Sequence, residues 1–318
     1  MSITLPPGVE VFERGWLSAN NILLHGRSPE EGAVLIDTGY VTHAPQTVAL
    51  VDAALLDEER LRLIVNTHLH SDHCGGNSAL VERHGCGVQI PPGDFSAVRT
   101  WDEARLSYQA TGQQCPRFQA NAAICPGEQL RHGELAWQVH AAPGHDPHSI
   151  LLFEPSTRTL ISADALWERG FGIIFPELDG EAAFDEVEQT LDLIQSLRPA
   201  VVIPGHGAVF SDVQQALAIA KQKLEHFRRD PARHARHGAK ALTVFHLLEV
   251  QQQPRSELLD WLVRTPVLMS SWQRFFADGP SLHAWSELLV DELVGNGVLT
   301  AETLPSGAAS IKVAKATT

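Results

Sequence analysis

Residues 65–76 read VNTHLHSDHCGG, so His68, His70, Asp72 and His73 fall within six consecutive positions and are followed by Gly75 and Gly76. Successive side chains alternate faces in extended backbone, so His68, His70 and Asp72 are expected to point one way, with His73 following on a turn. The two glycines let the chain reverse into the next element without Cβ clashes. Imidazole nitrogens and a carboxylate converging in this way suit a borderline divalent metal such as zinc. A lone histidine is more often exposed or hydrogen-bonded in a core. Three further donors carry the metal reading past that: His145 in VHAAPGH, Asp164 in LISAD and His206 in AVVIPGH.

Donors scattered along a chain form one site only if rigid elements bring them to one edge of a sheet. Apolar runs bounded by turn residues predict strands at NILLHG, GAVLIDTG, LRLIVNT, GVQIP, LAWQVHAA, SILLFEP, TLISAD and AVVIPG. Helical periodicity appears between some of them, at APQTVALVDAAL, NSALVERHG and AAFDEVEQTLDLIQSLR. The alternation implies an α/β layer arrangement with helices packed on sheet faces. Past about Ser211 the texture becomes helical, at DVQQALAIAKQKLEHFRR, GAKALTVFHLLEV, SELLDWLVR and LHAWSELLVDELVGNG. VLTAETLPSGAASIKVA then reads as two strands around a Pro-Ser-Gly turn, and the last few residues read as frayed. A chain of 318 residues is long enough for a large catalytic unit and a smaller appendage, which the texture divides into residues 1–214 and 215–318.

The order HxHxDH, a distant His, an Asp and a final His resembles the metallo-β-lactamase-fold hydrolase superfamily over roughly residues 16–210. That resemblance implies an αββα sandwich, two mixed β-sheets face to face with helices outside. It also implies that His68, His70 and His145 hold one metal and Asp72, His73 and His206 a second, with Asp164 bridging. Asp37, in VLIDTG, matches the superfamily's early Asp-x-Gly turn and is expected to orient a ligand histidine, a role compatible with an Asx-turn before Gly39. Two divalent ions about 3.5–4 Å apart can share a water, bring its pKa toward neutrality and polarise the oxygen of an ester, thioester, lactone or phosphodiester. Zinc is the first expectation, and manganese or iron also suits the donors. Asp72 is expected either to orient the bridging hydroxide and move a proton to the leaving group, or to act as a plain ligand. A bridging Asp164 resembles the thioesterase and lactonase branches rather than the antibiotic-degrading ones.

Two segments are expected to wall the substrate site: the long insertion from Gly93 to Leu130, and LWERGFGIIFP after Asp164. They carry Trp101, Tyr108, Phe118, Trp167, Phe171 and Phe175, some of which must be core, and Arg99, Arg105 and Arg117, which could meet a carboxylate. His148, close to His145, either touches substrate or is an exposed loop residue. Cys74 follows His73, and a buried inert thiol is expected there. The four cysteines, Cys74, Cys86, Cys115 and Cys125, show no CxxC pairing and are read as reduced thiols.

The formal charge of −14 is uneven: residues 1–214 hold 12 Arg and no Lys against 28 Asp plus Glu, whereas the remainder is about +2. An acidic catalytic part with a near-neutral appendage disfavours nucleic acid, although bound cations would reverse the field locally. Residues 215–310 nevertheless resemble the winged-helix-like domain of one superfamily branch that includes a single-strand-specific endoribonuclease. The basic cluster Arg228, Arg229, Arg233, Arg236 and Lys240, broken by Asp230, bears on that rival. A second rival is a mononuclear iron enzyme of the persulfide dioxygenase type, which resembles the same fold and uses two His and one Asp. The reading carried forward is a metal-dependent hydrolase of a small ester, thioester or lactone. A cytoplasmic location is expected, because no apolar run nears the roughly 20 residues of a membrane span and the first residues lack a signal-peptide pattern. The helical module makes a homodimer plausible.

Overall fold

The computed structural model describes residues 3–303 and 309–314. The first sheet has six strands in the order β1 (Val9–Phe12), β2 (Asn21–Leu24), β3 (Ala33–Ile36), β4 (Leu61–Val65), β5 (Gly87–Ile90) and β6 (Ala122–Ala123). Its first three strands pair antiparallel and the rest parallel. The second sheet runs β11 (Val201–Pro204), β10 (Thr159–Ala163), β9 (Ile150–Glu154), β8 (Leu135–Ala141) and β7 (Gln129–His132). Only β10 and β11 pair parallel there.

Strand β3 shows why these segments stack in layers. Its side chains alternate faces, so Val34 and Ile36 enter a cluster with Val65, Trp137, Leu152, Ile161 and Ile203 between the two sheets. Ala33 and Leu35 face the other way, toward Val51 of α1 (Ala44–Ala54) and Leu80 of α3 (Asn77–His84). On the far side of the second sheet, Leu160 and Val202 pack with Val187, Leu191 and Ile194 of α7 (Phe184–Leu197) and with Leu217 and Leu224 of α8 (Val213–Arg229). The result is the αββα sandwich read from the sequence, with strands such as β3 buried on both faces and therefore continuously apolar.

Short helices α4 (Phe95–Thr100) and α5 (Tyr108–Thr111) lie in the insertion, and α6 (Phe175–Asp179) follows β10. The C-terminal region contains α9 (Pro231–Val250), α10 (Arg255–Arg264), α11 (Pro266–Phe275) and α12 (Leu282–Gly295). A small antiparallel sheet closes it, in the order β12 (Gln252–Pro254), β14 (Ala309–Val313), β13 (Leu299–Thr303). The expected Pro-Ser-Gly turn and the frayed last residues lie outside the described residues. The line drawn at 214 falls at the start of α8, which packs on the second sheet, whereas Leu178 of the catalytic part joins the C-terminal core with Ala239, Leu242 and Trp285. Among the basic cluster, Arg228 pairs with Asp185 and Glu188, Arg229 with Glu225, and Arg236 and Lys240 with Glu292. No helix among the described residues is long and apolar enough to cross a membrane.

Candidate metal centre

All the predicted donors come from one edge of the sandwich. His68 and His70 follow β4, His145 follows β8, Asp164 follows β10 and His206 follows β11. The extended alternation holds for His68 and His70 only. Asp72 stands instead on a helical turn, α2 (Ser71–Cys74), closed by His73 and Cys74 N–H groups on the His70 carbonyl. The turn is tied to the segment after β3, where the Thr38 N–H donates to the His73 carbonyl and the Gly76 N–H to the Gly39 carbonyl, and a Cβ on Gly76 would lie 2.4 Å from the Thr38 carbonyl oxygen. Asp72 and His73 are thereby brought around to face His206.

The donor atoms fall into three groups, each with its atoms within 4.8 Å of one another: His68, His70, His145; His68, His73, Asp164; and Asp72, His73, His206. In the first, His68 Nε2, His70 Nδ1 and His145 Nε2 lie 3.1, 2.8 and 3.3 Å apart. Tetrahedral ligation with metal–nitrogen bonds of about 2.0–2.1 Å places ligand nitrogens roughly 3.3–3.4 Å apart, so the triangle is close to metal-ready. In the third group, His206 Nε2 lies 3.1 Å and His73 Nε2 3.9 Å from Asp72 Oδ2. Asp164 stands between the sets, with Oδ2 3.4 Å from His145 Nε2 and 3.9 Å from His206 Nε2, and Oδ1 3.5 Å from His73 Nε2.

The outer nitrogen of each histidine shows which lone pair points inward. His73 Nδ1–H donates to Asp37 Oδ2 at 2.7 Å. Thr67 also donates to Asp37, through its N–H at 2.8 Å and its hydroxyl at 2.7 Å, leaving the Thr67 oxygen to accept from His68 Nδ1–H at 3.1 Å. His145 Nδ1–H donates to the Ile173 carbonyl. Burial pushes His68 well down and His70 and His145 down to about 4, so these imidazoles are neutral at neutral pH. Lone pairs of His68 and His145 therefore face inward in a buried space. Burial opposes charge on His73, but Asp37, Asp164 and Asp72 raise it well above the usual imidazole range, so without a cation its Nε2, which has no hydrogen-bond partner, carries a proton that a metal would displace. A cation satisfies that arrangement, and the donors fit one or two divalent ions. Burial opposes charge on Asp72 and Asp164, but His73 and His206 hold Asp72 below its usual range, and His206 and His73 hold Asp164 well below it.

The backbone is bent to serve this edge. Asp37 and Ala163, which precedes Asp164, have φ of 56° and 47°, a left-handed conformation unusual for residues with a Cβ. A Cβ on Gly205 would sit 2.2 Å from Asp164 Oδ1, so only glycine lets β11 pass behind that carboxylate.

The pocket residues divide. Phe175 packs on His70 and His145, with centroids 4.7 and 5.7 Å away, and Trp167 donates to Asp164 Oδ1 at 3.2 Å. Tyr108 and Phe171 are buried core residues, which corrects them from substrate contacts, whereas Trp101 is half-buried and packs on the first sheet's cluster with Phe118. Aromatic rings lower their free energy as well inside as at a pocket, and the insertion contributes Phe95, Val98 and Leu106 to the same cluster. His148 is partly exposed, 3.9 Å from Asp94 and outside the donor groups, and Arg99, Arg105 and Arg117 are exposed.

Sequence reasoning missed Trp16, Asp146 and His234. Trp16 is 60% exposed and stacks on His206 at an interplanar angle of 10°, with Trp167 edge-on to both. It steadies a ring whose Nδ1 has no hydrogen-bond partner. Asp146 Oδ2 lies 3.7 Å from the outer nitrogen of His70. His234, buried on α9, accepts from the Ile174 N–H at 3.2 Å, while the carbonyl of the same peptide unit, on Ile173, accepts from His145. Burial, with His237 and Lys223, pushes His234 down to about 3, which keeps it a neutral acceptor. No local signal marks Trp16 or His234, because each acts through contacts distant in sequence, whereas the place of Asp146 directly after His145 was a local signal for it.

A His234→Phe variant keeps the ring contacts with Phe184 and Phe227 but removes the acceptor. It is expected to lower metal affinity roughly 10–100-fold, as loss of an outer partner does, with His234→Gln recovering part of it. Zinc titration against a competing chelator checks this, and wild-type affinity in both variants would show that the peptide does not orient His145.

Comparison with known proteins agrees with the geometry. The model of the metallo-beta-lactamase superfamily matches residues 14–206. A hydroxyacylglutathione hydrolase of Rhodopseudomonas palustris is 28% identical over 193 residues, 57% of this chain and 66% of that protein. A mitochondrial persulfide dioxygenase of Homo sapiens is 34% identical over 152 residues, 47% of this chain and 49% of that protein. The chain thus spans just under two thirds and about half of these relatives. A beta-lactamase domain protein from Burkholderia ambifaria has the same fold across 98% of this chain and 94% of its own, with a TM-score of 0.59 at 18% identity.

Proposed function

This chain belongs to the metallo-beta-lactamase superfamily, and from that membership and the gathered donors we propose that it is a dinuclear metal-dependent hydrolase of a small ester, thioester or lactone. The observation that carries the reading is the doubled donor set, His68, His70, His145 against Asp72, His73, His206, with Asp164 between them. Two divalent ions held there, zinc before manganese or iron, would supply Lewis acidity and a nucleophile at neutral pH. Asp72, kept ionised by His73 and His206, accepts a proton and can return it to the leaving group. Trp16, Trp167 and Phe175 offer apolar walls to the acyl or organic part of a substrate.

The hydroxyacylglutathione hydrolase relative supports a thioester among the candidates. The persulfide dioxygenase relative supports the rival with a single iron, against which the complete second set weighs. The acid partners of Arg228, Arg229, Arg236 and Lys240 weigh against a phosphate-binding face and so against the ribonuclease reading. The helix and strand order from α9 to β14 is compatible with a winged-helix-like module, which we assign the role of bracing the site through His234.

Metal analysis of the purified protein tests the reading, with about two ions per chain expected. A panel of lactones, thioesters, p-nitrophenyl esters and single-stranded RNA then separates the substrates. One iron per chain with oxygen consumption would replace the hydrolase by a dioxygenase, and cleavage of RNA alone would overturn the charge argument.

A further inference from the structure

Two of the four free cysteines meet against the metal-bearing turn. Cys74, fully buried, follows His73 on α2, and Cys115, half-buried, comes from the insertion between β5 and β6. Their sulfurs lie 3.7 Å apart although 41 positions separate them in sequence. The Cys74 thiol also lies 3.2 Å from the Tyr108 hydroxyl, 3.5 Å from the Leu69 carbonyl and 3.4 Å from the His70 carbonyl, so it touches the backbone that presents His68 and His70. The insertion reaches the same turn through Gln113, whose Oε1 accepts from the Ser71 hydroxyl at 2.6 Å, and it meets the segment after β3 through the Gln114 N–H on the Tyr40 hydroxyl at 3.2 Å.

We propose that Cys74 and Cys115 are a reversible oxidation site, taking a hydroperoxide as oxidant and forming a disulfide that pins the insertion to the ligand-bearing turn. Sulfurs in contact need about 1.6 Å of approach to reach the bond length of about 2.05 Å, a distance that side-chain rotation and a small loop shift supply. Cys115 is the more accessible thiol and reacts first. Its thiolate attacks the outer peroxide oxygen: an S–O bond forms, the O–O bond breaks and alcohol or water leaves, giving a sulfenic acid. The sulfur of Cys74 then attacks that of Cys115; the S–S bond forms, the S–O bond breaks, and the hydroxyl leaves as water with the Cys74 proton. The sum is two thiols plus ROOH giving a disulfide, ROH and water, two electrons passing from sulfur to oxygen. Exchange with a dithiol reductant returns both thiols.

Cys86 and Cys125 are the internal controls. Cys86 is buried in the core of the first sheet and Cys125 follows β6, and neither makes a sulfur–sulfur contact among the described residues. The inference does not depend on which reaction the metal centre performs.

The test treats the full chain with hydrogen peroxide at graded concentrations, alkylates the remaining thiols and maps peptides by mass spectrometry. Expected is a loss of two hydrogens in a single linked pair, Cys74 with Cys115, at low peroxide excess, with Cys86 and Cys125 still alkylated. Dithiothreitol should restore four alkylated thiols. A raised melting temperature in the oxidised form that dithiothreitol reverses would agree with the pinned insertion. Cys115→Ser should abolish the link, and the Cys86→Ala, Cys125→Ser double variant should retain it. Four alkylatable thiols after treatment, links to Cys86 or Cys125 in comparable yield, or overoxidation of Cys115 without a link would each overturn the proposal.

Discussion

Asp164→Ala is expected to lose hydrolytic activity by more than the roughly 100-fold that loss of an outer partner costs, because it removes the carboxylate between the two donor sets. Asp164 Oδ2 approaches His145 and His206 while Oδ1 approaches His73 and accepts from Trp167, so no neighbour can take its place. Its ionised form, sustained by His206 and His73, is also the negative charge most central to a cluster of histidines. Metal content should fall below the wild-type value, and the deficit should persist when zinc is supplied in excess of its ordinary binding range. Asp164→Asn preserves shape and the indole contact but not charge, and should retain more thermal stability than the alanine variant while recovering little activity. Circular dichroism and a thermal scan alongside metal analysis separate loss of fold from loss of metal. Full metal loading with activity within a few-fold of wild type would remove Asp164 from the site.

The second large effect is at Asp37, a residue that touches no substrate. Its carboxylate takes the Thr67 N–H, the Thr67 hydroxyl and His73 Nδ1–H, and it does so at a positive φ. Asp37→Ala leaves those buried donors without an acceptor and removes the side-chain hydrogen bonds that accompany the left-handed backbone there. A loss of about 3–5 kcal/mol in unfolding free energy is expected, the scale for breaking a buried charged pair. Asp37→Asn is the more informative change, since asparagine tolerates left-handed backbone and its oxygen can still accept from Thr67. Its NH2 group would confront His73 Nδ1–H, donor against donor, and so favour the tautomer with the proton on Nε2. That proton would stand on the atom that faces Asp164 and Asp72 and that a metal must take. Weak loading of the second donor set with nearly native stability is therefore expected, read by chelator competition and chemical denaturation. Equal metal affinity in wild type and Asp37→Asn would show that the tautomer of His73 is not held from outside.

Much of this molecule is legible from short-range pattern. The apolar runs became strands because a segment sandwiched between layers is mostly apolar, and eight expected strands appear where they were read. The polar edge strand β7 and the helix α11, which opens on Pro266, were not expected, the first because QLRH lacks an apolar alternation. His68, His70, Asp72 and His73 were legible because a metal site needs several donors close together and the chain supplies four in one turn. His145, Asp164 and His206 were legible because each ends a predicted strand.

The sequence by itself thus determined the layered architecture and the donor atoms, since both follow from local periodicity and from the chemistry of residue types. Tertiary structure decided what those donors and their neighbours face. It turned Asp72 from extended backbone onto a helical turn, sent Tyr108 and Phe171 into the core, and laid Trp16 on His206. It also set His234 against the peptide that holds His145, and Cys74 against Cys115. The physical reason is common to all of these. An aromatic ring, a neutral imidazole or a thiol is stabilised equally by many buried surroundings, so composition leaves its position open until contacts between distant segments select one.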